Sequence, residues 1–356
     1  MSFHANRLHA FGGPEGLRYD EIEVPDPGPG EVRVRVHACA VNRMDTELIK
    51  GEYGGIPLEN FYFGKGDILP HTCGIEPAGV IDAVGSGVEG IAEGDRVLVH
   101  SQFACGHCDW CRRGAEHHCS DLRVLGVQTP GLGGWAEALV IPAANVIPLP
   151  QSISFEEAAT IEVNIGTSWW MLNHRVGVRP TDVVLVPGAA GGIGTACVQI
   201  AKLAGATVIA AAGDDARLER TRELGADHVV NYRRESLSER VLEITGGRGA
   251  DVVVDPIGSA LWDELMNSIA MGGKLINCGA HTGLLVNLNL GLLFAKNLTV
   301  MGSTRAPRWA MEEAVRLVGD RKIRAIVSET LPLEQAGEAV SRMESREHYG
   351  KLVLTM

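Results

Sequence analysis

The chain has 356 residues, of which 45% are apolar and 21% are charged; this is the balance of a folded globular protein and excludes extensive disorder. At about 150 residues per domain, the length predicts two domains. The net charge of −12 repels phosphate backbones and no stripe of Lys and Arg offsets it, which excludes nucleic acid as a partner.

The N-terminal stretch MSFHANRLHAFGGPEG contains no apolar targeting segment. No uninterrupted apolar run approaches the roughly 18 residues that span a bilayer. We therefore expect a cytoplasmic protein without a membrane partner. Four scattered cysteines with apolar neighbours agree with a reducing compartment; they are Cys39, Cys73, Cys197 and Cys278.

The first third of the chain has the pattern of short strands. EVRVRV (31–36) alternates apolar and charged residues with period two, which is typical of a strand with one solvated face. GVIDAVG (79–85) and DRVLVHS (95–101) are similar runs bounded by glycines. The pattern predicts a β-rich N-terminal half.

Four cysteines follow in one polar stretch, CGHCDWCRRGAEHHC (105–119). Cys105, Cys108, Cys111 and Cys119 recur at a spacing that lets one loop wrap a tetrahedral Zn²⁺ at about 2.3 Å from each sulfur. Two disulfides are the alternative, but cysteines three residues apart form strained rings. Because protein ligands fill all four positions, we expect one structural Zn²⁺ per chain and no part for it in catalysis.

After LPQSI (149–153) strands and helices alternate, which predicts a parallel sheet covered on both faces. The segments are VVLVP (183–187), GGIGTACVQIAKLAG (191–205), ATVIAAA (206–212), DARLERTRELGA (215–226), HVVNY (228–232), SERVLEITGG (238–247), DVVVDPIG (251–258), WDELMNSIA (262–270) and GKLINCGA (273–280). The fold class is therefore α/β, with a Rossmann-type doubly wound parallel sheet and a second, β-rich domain.

The C-terminal stretch contains two further helical patterns and two short strands beyond this sheet, ending in KLVLTM (351–356). We expect it to return to the first domain. The predicted boundaries are 1–160 and 303–356 for a discontinuous catalytic domain with a zinc lobe at 100–122, and 161–302 for the nucleotide-binding domain.

The motif GAAGGIG (188–194) lies between a buried strand and a helix, where a dinucleotide-binding loop belongs. Gly191 and Gly192 omit Cβ atoms where a pyrophosphate approaches the backbone, and Gly194 lets the helix pack on the sheet. The predicted cofactor contacts here are Gly188, Ala189, Gly191, Gly192, Ile193 and Gly194.

The end of the second strand predicts which nicotinamide cofactor binds. NAD enzymes place an acid there for the ribose 2′-OH, whereas this strand runs into Gly213, with Arg217 one helical turn further on. Asp214 and Asp215 oppose this interpretation, unless they serve as the N-cap and first turn of the next helix. The pattern favours NADP(H) over NAD(H).

Together, the β-rich half, the cysteine lobe, the glycine-rich loop and the returning C-terminus resemble the medium-chain dehydrogenase/reductase superfamily. The resemblance extends over nearly the whole chain, through GDRV (94–97), GGWAEALVIP (133–142) and RELGADHVVNY (222–232). It implies that the β-rich domain is the GroES-like catalytic domain of that superfamily.

Zinc alcohol dehydrogenases of the superfamily hold a second, catalytic zinc through two cysteines and a histidine. The matching positions here are Asn42, Ile75 and Val163. Ile and Val cannot coordinate a metal, so Lewis-acid catalysis is not expected. A substitute site from His71, Cys73 and Glu76 would lack a distant ligand to complete its tetrahedron.

The chain is instead similar to the quinone oxidoreductase and enoyl reductase branch, although that branch mostly lacks the cysteine lobe. The resemblance implies reduction of a small molecule, an activated C=C bond or a quinone, because hydride addition places charge on an oxygen that hydrogen-bond donors can hold. An alcohol or aldehyde dehydrogenase with an atypical site, and a cofactor-binding protein without activity, stay as alternatives.

The resemblance also assigns residues. It places the nicotinamide in the cleft between the domains, beside Thr167 and the loop NCGAHTG (277–283) with Asn277 and Gly279, and places Arg43 and Lys351 at the pyrophosphate. Asn42 is the candidate to face the substrate carbonyl and Tyr53 the candidate second donor. Their alternatives are a turn amide and a surface aromatic. Asp45 and Glu76 would orient Arg43 or backbone amides.

The segment GGIPLENFYFGKGDILP (54–70) is expected to shape the substrate pocket. On family grounds we also expect a homodimer or homotetramer, formed through edge strands near GLLVNLNLG (283–291).

Overall fold

The computed structural model describes residues 2–53, 55–57 and 68–356. In chain order its strands are β1 (Ser2–Leu8), β2 (Leu17–Glu23), β3 (Glu31–Val41), β4 (Glu52–Tyr53), β5 (Ile56–Pro57), β6 (His71–Thr72), β7 (Glu76–Val84), β8 (Arg96–Val99), β9 (Gln102–Phe103), β10 (Arg123–Val124), β11 (Ala138–Pro142), β12 (Val146–Pro148), β13 (Val183–Pro187), β14 (Thr207–Ala212), β15 (His228–Asn231), β16 (Ala250–Asp255), β17 (Ile269–Asn277), β18 (Thr299–Gly302), β19 (Val327–Pro332) and β20 (Lys351–Thr355).

The α-helices are α1 (Arg43–Lys50), α2 (Asp109–Arg112), α3 (Phe155–Ala158), α4 (Thr167–Trp169), α5 (Gly192–Leu203), α6 (Asp215–Arg222), α7 (Leu237–Ile244), α8 (Trp262–Ser268), α9 (Leu290–Ala295), α10 (Arg308–Gly319) and α11 (Ala336–Ser345). Two π-helical segments, Ile161–Gly166 and Trp170–Val176, flank α4. The 3₁₀ turns are Pro14–Gly16, Glu116–His118, Ala143–Asn145, Ser259–Leu261 and Leu333–Gln335. None of the described helices is long and apolar enough to cross a bilayer.

The chain divides into two compact units. The first comprises 1–163, 306–320 and 325–356, and the second comprises 164–305 with 321–324. The second unit thus begins and ends three residues later than the boundaries of 161 and 302 expected from the sequence. The second unit also includes residues 321–324, the short turn after α10.

The first unit is built on a seven-stranded sheet in which the strand order is β12-β8-β7-β3-β20-β19, with β11 also paired to β3. β3 is its long central strand, and the Val residues of EVRVRV face the core. Arg35 is exposed as the alternation predicts, but Arg33 is buried. Arg33 can be buried because Asp82 and Asp26 pair with its guanidinium at 2.7 and 3.1 Å.

The C-terminal strand joins this sheet directly. β20 pairs antiparallel with β3, with Leu352 opposite Val41, and β19 pairs parallel with β20 on its other side. β20 therefore lies inside the same sheet as β3, between β3 and β19.

The second unit contains a six-stranded, all-parallel sheet with the order β15-β14-β13-β16-β17-β18. This is the doubly wound order of a dinucleotide-binding sheet, with its reversal between β13 and β16. A buried cluster that includes Leu185, Val253, Trp262 and Leu275 packs one face of the sheet against α7 and α8. The expected α/β class and Rossmann-type sheet are confirmed.

Two segments differ from the sequence prediction. The sixth strand, β18, was not among the segments predicted from the sequence, the last of which ends at residue 280. The run 283–289 forms no strand, so the prediction of an edge strand near GLLVNLNLG is wrong. Its alternating Leu and Asn residues match a strand pattern, but the run pairs with no strand in the described part of the chain and Leu285 is 87% exposed.

Candidate functional site

The four-cysteine segment folds into a closed lobe of the first unit. β9 and β10 pair antiparallel, with Phe103 opposite Arg123, and so join the two ends of the loop that carries the cysteines. α2 begins immediately after Cys108, and a 3₁₀ turn ends at His118, just before Cys119. These short elements bring together four side chains that are spread over fifteen residues of sequence.

The four sulfurs lie within 4.8 Å of one another. Cys111 Sγ is 3.9 Å from Cys105 Sγ and 3.5 Å from Cys108 Sγ. A tetrahedral Zn²⁺ at about 2.3 Å from each ligand requires sulfur separations of roughly 3.8 Å, whereas a disulfide requires about 2.05 Å. The cluster therefore has the dimensions of a metal site. No other such group of His, Cys, Asp and Glu occurs in the described residues.

Backbone N–H groups already favour charge on one of these thiols. Donation to the sulfur from His107 and Cys108 lowers the pKa of Cys105 to about 6, while desolvation raises the pKa of Cys111 to about 12. A divalent cation deprotonates coordinating thiols outright. The donor set thus fits Zn²⁺.

The lobe is attached to the start of α10. The Glu116 carboxylate accepts the backbone N–H of Arg308, and the Trp309 indole N–H donates to Gly114 O at 3.2 Å. The Arg308 guanidinium also donates to Val146 O at 2.8 Å. The cysteine loop is thereby fixed to the C-terminal part of its own unit.

In the second unit the glycine-rich loop connects β13 to α5. Gly188 has a φ of +63°, which only glycine adopts at low cost. A Cβ on Gly194 would lie 2.2 Å from Gly188 O, so the helix can start this close to the strand only with glycine there. A Cβ on Gly192 would meet the Asn164 amide at 2.5 Å. Asn164, a residue that the sequence did not suggest, therefore takes the space beside this loop.

At the end of β14, charged groups surround Gly213. The Arg233 Nε lies 2.8 Å from the position that a Cβ of Gly213 would take. Asp214 is the N-cap of α6 and its carboxylate accepts the Arg217 N–H at 2.9 Å, which lowers its pKa. Asp215 pairs with Arg234 and accepts from Asn231. Asp214 and Asp215 thus serve local structure, and Arg233 joins Arg217 near the position that selects the cofactor.

The ends of β16 and β17 are joined by a buried carboxylate. Asn277 donates to Asp255 Oδ2 and to Gly279 O, both at 2.8 Å. The other oxygen of Asp255 accepts the N–H groups of Ile257 and Gly258. Burial raises the pKa of Asp255, and the N–H donors oppose that rise. This network holds the loop predicted to lie beside the nicotinamide.

A buried polar network in the first unit joins three distant parts of the chain. Lys351 Nζ donates to Asn42 Oδ1 at 2.6 Å and to Glu76 Oε2 at 2.7 Å. Asn42 Nδ2 donates to the same Glu76 oxygen at 2.9 Å, while Val163 N–H donates to the other at 2.6 Å. All three side chains are at most 5% exposed. Lys351 and Glu76 therefore form a buried ion pair that Asn42 bridges.

Asp45 lies next to this network and is fully buried. Its carboxylate accepts the backbone N–H of Asn42 at 2.8 Å and that of Gly74 at 3.1 Å. Desolvation raises the pKa of Asp45 to about 7, although these donors and the Lys351 charge oppose the shift. Glu76 likewise accepts a backbone amide, so both acids orient backbone N–H groups, one of the two roles considered from the sequence.

Known families and structures match the whole of this arrangement. The zinc-binding dehydrogenase family matches residues 192–320, and the alcohol dehydrogenase GroES-like domain matches residues 28–151. A solved structure described as an NAD-dependent alcohol dehydrogenase is 40% identical, with a TM-score of 0.92 and 99% of each chain covered. Quinone oxidoreductase 1 of Escherichia coli K12 is 31% identical over 98% of both proteins.

The chain belongs to the medium-chain dehydrogenase/reductase superfamily. Members of this superfamily are NAD(P)-dependent oxidoreductases, and many of them bind zinc. A further relative, an acryloyl-coenzyme A reductase of Sulfurisphaera tokodaii, is 26% identical over 96% of this chain and 97% of its own length. Alcohol dehydrogenases, quinone reductases and acyl-CoA reductases thus all occur among the relatives.

The resemblance identified Asn42, Ile75 and Val163 as the positions that match the catalytic zinc ligands of zinc alcohol dehydrogenases. Ile75 and Val163 pack in one apolar cluster with Met44, Val124 and Val127. The third position, Asn42, is the amide that bridges Lys351 and Glu76. A hydrocarbon cluster and an amide held by an ion pair offer no ligand set for Zn²⁺, so the residues present do not fit a catalytic metal.

The remaining predicted site residues have varied environments. Arg43 begins α1 and pairs with Glu47 at 3.2 Å. Thr167 begins α4 and is buried, as is Tyr53 in β4, so Tyr53 is not a surface aromatic. Lys351, expected at the pyrophosphate, has its ammonium in the buried ion pair. Most of the segment 54–70 lies outside the described residues.

Substitution of Asp45 tests whether burial raises the pKa of its carboxyl group. In the native state it stays protonated up to about pH 7, whereas in the unfolded chain it ionises near its ordinary value of 3.8. Its contribution to the free energy of unfolding is therefore lost as pH rises through this window. We expect the unfolding free energy of wild type relative to Asp45→Asn to fall between pH 5 and 7, by up to about 1.4 kcal/mol per pH unit.

Denaturant unfolding at half-unit pH steps measures this slope. Asp121→Asn, at an exposed aspartate of the same unit, is the control and should leave the slope unchanged. A difference between wild type and Asp45→Asn that rises with pH would contradict a desolvated, protonated Asp45.

Proposed function

We propose that the protein is an NADPH-dependent reductase of an activated C=C bond or a quinone, working without catalytic zinc. The observation that carries this proposal is the pairing of Ile75 with Val163 in an apolar cluster, with Asn42 held between Lys351 and Glu76. A site that has exchanged its metal ligands for hydrocarbon and an ion pair cannot stabilise an alkoxide as a Lewis acid. Reduction of a conjugated acceptor makes no such demand.

Bound NADPH would supply a hydride to the β-carbon of the acceptor. The protein's part is then to hold the carbonyl oxygen on which negative charge develops. Asn42 has a second amide N–H and Lys351 has a third ammonium N–H beyond the contacts they make in the described residues. Because the ion pair fixes both groups in a buried environment, their orientation costs little at the moment of reaction. In this scheme Tyr53 is the second donor.

An acceptor screen tests the activity. Purified protein with NADPH should reduce quinones, enones or enoyl thioesters, with loss of absorbance at 340 nm, and should not oxidise simple alcohols with NADP⁺. Alcohol oxidation together with about two zinc ions per chain would instead show a dehydrogenase with a rebuilt metal site. NADPH binding without turnover on any acceptor would show a protein that has kept only the cofactor fold.

The cofactor proposed is NADP(H) rather than NAD(H). The two acids beside Gly213 are engaged in local contacts: Asp214 caps α6 and lies 3.4 Å from Arg217 Nε, and Asp215 is paired with Arg234. Arg217 and Arg233 lie close by, and a guanidinium suits the 2′-phosphate. The glycine-rich loop, which includes Ala189 and Ile193, would hold the pyrophosphate.

Arg233→Ala and Arg217→Ala test the cofactor choice. Since one charged hydrogen bond contributes about 1.5–3 kcal/mol, each substitution should raise KM for NADPH by roughly 10- to 100-fold. KM for NADH should hardly change, because NADH lacks the phosphate. Arg222→Ala, on the outer side of α6 where Arg222 pairs with Glu219, is the control. A wild-type preference for NADH would overturn the assignment.

The Cys105–Cys119 lobe is proposed to hold one structural Zn²⁺. We expect metal analysis of the purified protein to give near one zinc per chain. Cys111→Ser should lose that zinc and lower the melting temperature, because a cage of four ligands fixes the loop. Cys197→Ser, in the second unit, should keep the zinc; a full zinc complement in Cys111→Ser would contradict the site.

Self-association is proposed through the second unit. Leu285, Leu290 and Phe294 are 87%, 65% and 76% exposed along one short stretch that includes α9. Large exposed apolar side chains concentrated in this way are typical of a protein interface. We infer a homodimer or homotetramer that covers this stretch, rather than one formed by edge-strand pairing at 283–291.

A further inference from the structure

We propose that His100 is the proton donor of the reaction, positioned by Glu162, and this inference rests on the proposed reductase function. Neither residue was suggested by the sequence, which gave Asn42 and Tyr53 as the candidate donors. His100 immediately follows β8, and Glu162 lies in the π-helical segment Ile161–Gly166. Both belong to the first unit.

The two side chains form a buried dyad. His100 Nδ1 lies 3.1 Å from Glu162 Oε1, and the two residues are 2% and 3% exposed. The same Glu162 oxygen accepts the Ser101 N–H at 3.1 Å and the Ser101 hydroxyl at 3.0 Å. Three donors around one oxygen keep the carboxylate in place. The imidazole is therefore held with its proton on Nδ1 toward Glu162.

The other ring nitrogen has no such partner. His100 Nε2 is buried, and no hydrogen-bond partner for it exists among the described residues. Buried polar atoms nearly always have a partner, so an orphaned one requires an explanation. A carboxylate on Nδ1 and an Nε2 without a protein partner is the arrangement by which an imidazole can exchange a proton with a reacting molecule bound beside it.

The backbone of His100 is also fixed. Its N–H donates to Asn145 O at 2.6 Å, and its carbonyl accepts the Asn145 amide at 2.8 Å. The Asn145 amide donates to Gln102 O as well, at 2.9 Å. The backbone that carries the ring is therefore held in place on both sides of the Cα atom.

The position of Glu162 in the chain connects the dyad to the site already described. The next residue, Val163, donates its N–H to Glu76 and packs against Ile75, at the positions where a catalytic zinc would be held. The residue after it, Asn164, lies against Gly192 of the glycine-rich loop. Glu162, Val163 and Asn164 thus contact, in turn, His100, Glu76 and Gly192 of the glycine-rich loop.

In the proposed reaction, bound NADPH would supply a hydride to the β-carbon of an α,β-unsaturated ketone or thioester, the π electrons of the C=C bond would form an enolate, and NADP⁺ would be the oxidised product. The protonated imidazole of His100 gives its Nε2 proton to the α-carbon of the enolate. The neutral imidazole then regains a proton from water, so that each turnover consumes one NADPH and one proton.

Quinones give an internal control for this step. Hydride addition to a quinone produces a hydroquinone anion, a phenolate that water can protonate without a positioned acid. An enolate needs its proton delivered to carbon. Loss of the donor should therefore affect the two acceptor classes differently, which loss of the fold or of the cofactor site would not.

The experiment compares His100→Gln with His9→Gln in the full-length protein. His9 also pairs with a carboxylate, Asp20 at 2.6 Å, but it lies just after β1 and outside the site. General acid catalysis contributes 10²–10⁴-fold, so His100→Gln should lower kcat for the enone or enoyl thioester by about 100-fold or more. Quinone kcat, NADPH affinity and melting temperature should stay near wild type, and His9→Gln should change none of these.

Glu162→Gln provides a second variant if His100→Gln folds poorly. Its amide oxygen can still accept from Ser101, but the charge that favours the imidazolium is gone, so the ratio of enone to quinone kcat should fall with KM unchanged. Equal losses on both acceptors, or no loss on either, would overturn the proton-donor role alone. A wild type that reduces neither acceptor would overturn the proposed function itself.

Discussion

The buried ion pair between Lys351 and Glu76 is the interaction on which the first unit depends. A charge at less than 5% exposure is tolerated only when it is paired and hydrogen-bonded, and here Asn42 and the Val163 N–H complete the arrangement. Lys351 is the first residue of β20, Glu76 is the first residue of β7 and Asn42 directly follows β3. Val163 lies in a π-helical segment. The pair therefore gives a physical reason why the C-terminal segment must return to the N-terminal sheet: without β20 beside β3, Glu76 would be a buried, unpaired carboxylate.

Under the proposed function, the same interaction would take the place of the catalytic metal of a zinc dehydrogenase. A zinc ion at this point would supply both positive charge and a fixed centre that joins three parts of the chain. Lys351 supplies the charge, and hydrogen bonds to Asn42 and Glu76 supply the connection. Ile75 and Val163 belong to one apolar cluster beside them. A fixed ammonium is a weaker electrophile than Zn²⁺, so under the proposed function the acceptor would be one whose developing charge is already delocalised.

The sequence predicted the parts of the fold that repeat a simple pattern. Alternating apolar runs and helices gave the parallel sheet, and the glycine-rich loop was placed correctly between β13 and α5. β18 was missed because TVMG is too short to show periodicity, and the π-helical segments were missed because a π turn has no residue signature. GLLVNLNLG was misread because alternation alone does not supply a neighbouring strand.

The site was harder to predict, for a different reason. Cys105 to Cys119 lie close in sequence, so their spacing carries the geometry of a metal site. Lys351 and Asn42 are 309 positions apart, and His100 and Glu162 are 62 apart, so only the folded sheet brings each pair together. Arg33 shows the same limit within one strand, since Asp82 forty-nine residues away decides whether that arginine is exposed or buried.

The cysteine lobe and the His100–Glu162 dyad are connected through the same backbone segment. The lobe can therefore have a structural role even where catalysis needs no zinc. β9 closes the lobe at Gln102, two residues after His100, and the Asn145 amide binds the carbonyls of both. The Gln102 side chain in turn donates to Ala306 O at 2.7 Å, just before the point where Arg308 attaches to Glu116 of the lobe. A cage that keeps residues 105–119 rigid thereby also limits motion of the backbone on which His100 is mounted. Since a proton donor must be held to a fraction of an ångström, a structural metal a few residues away can support the chemistry without touching the substrate.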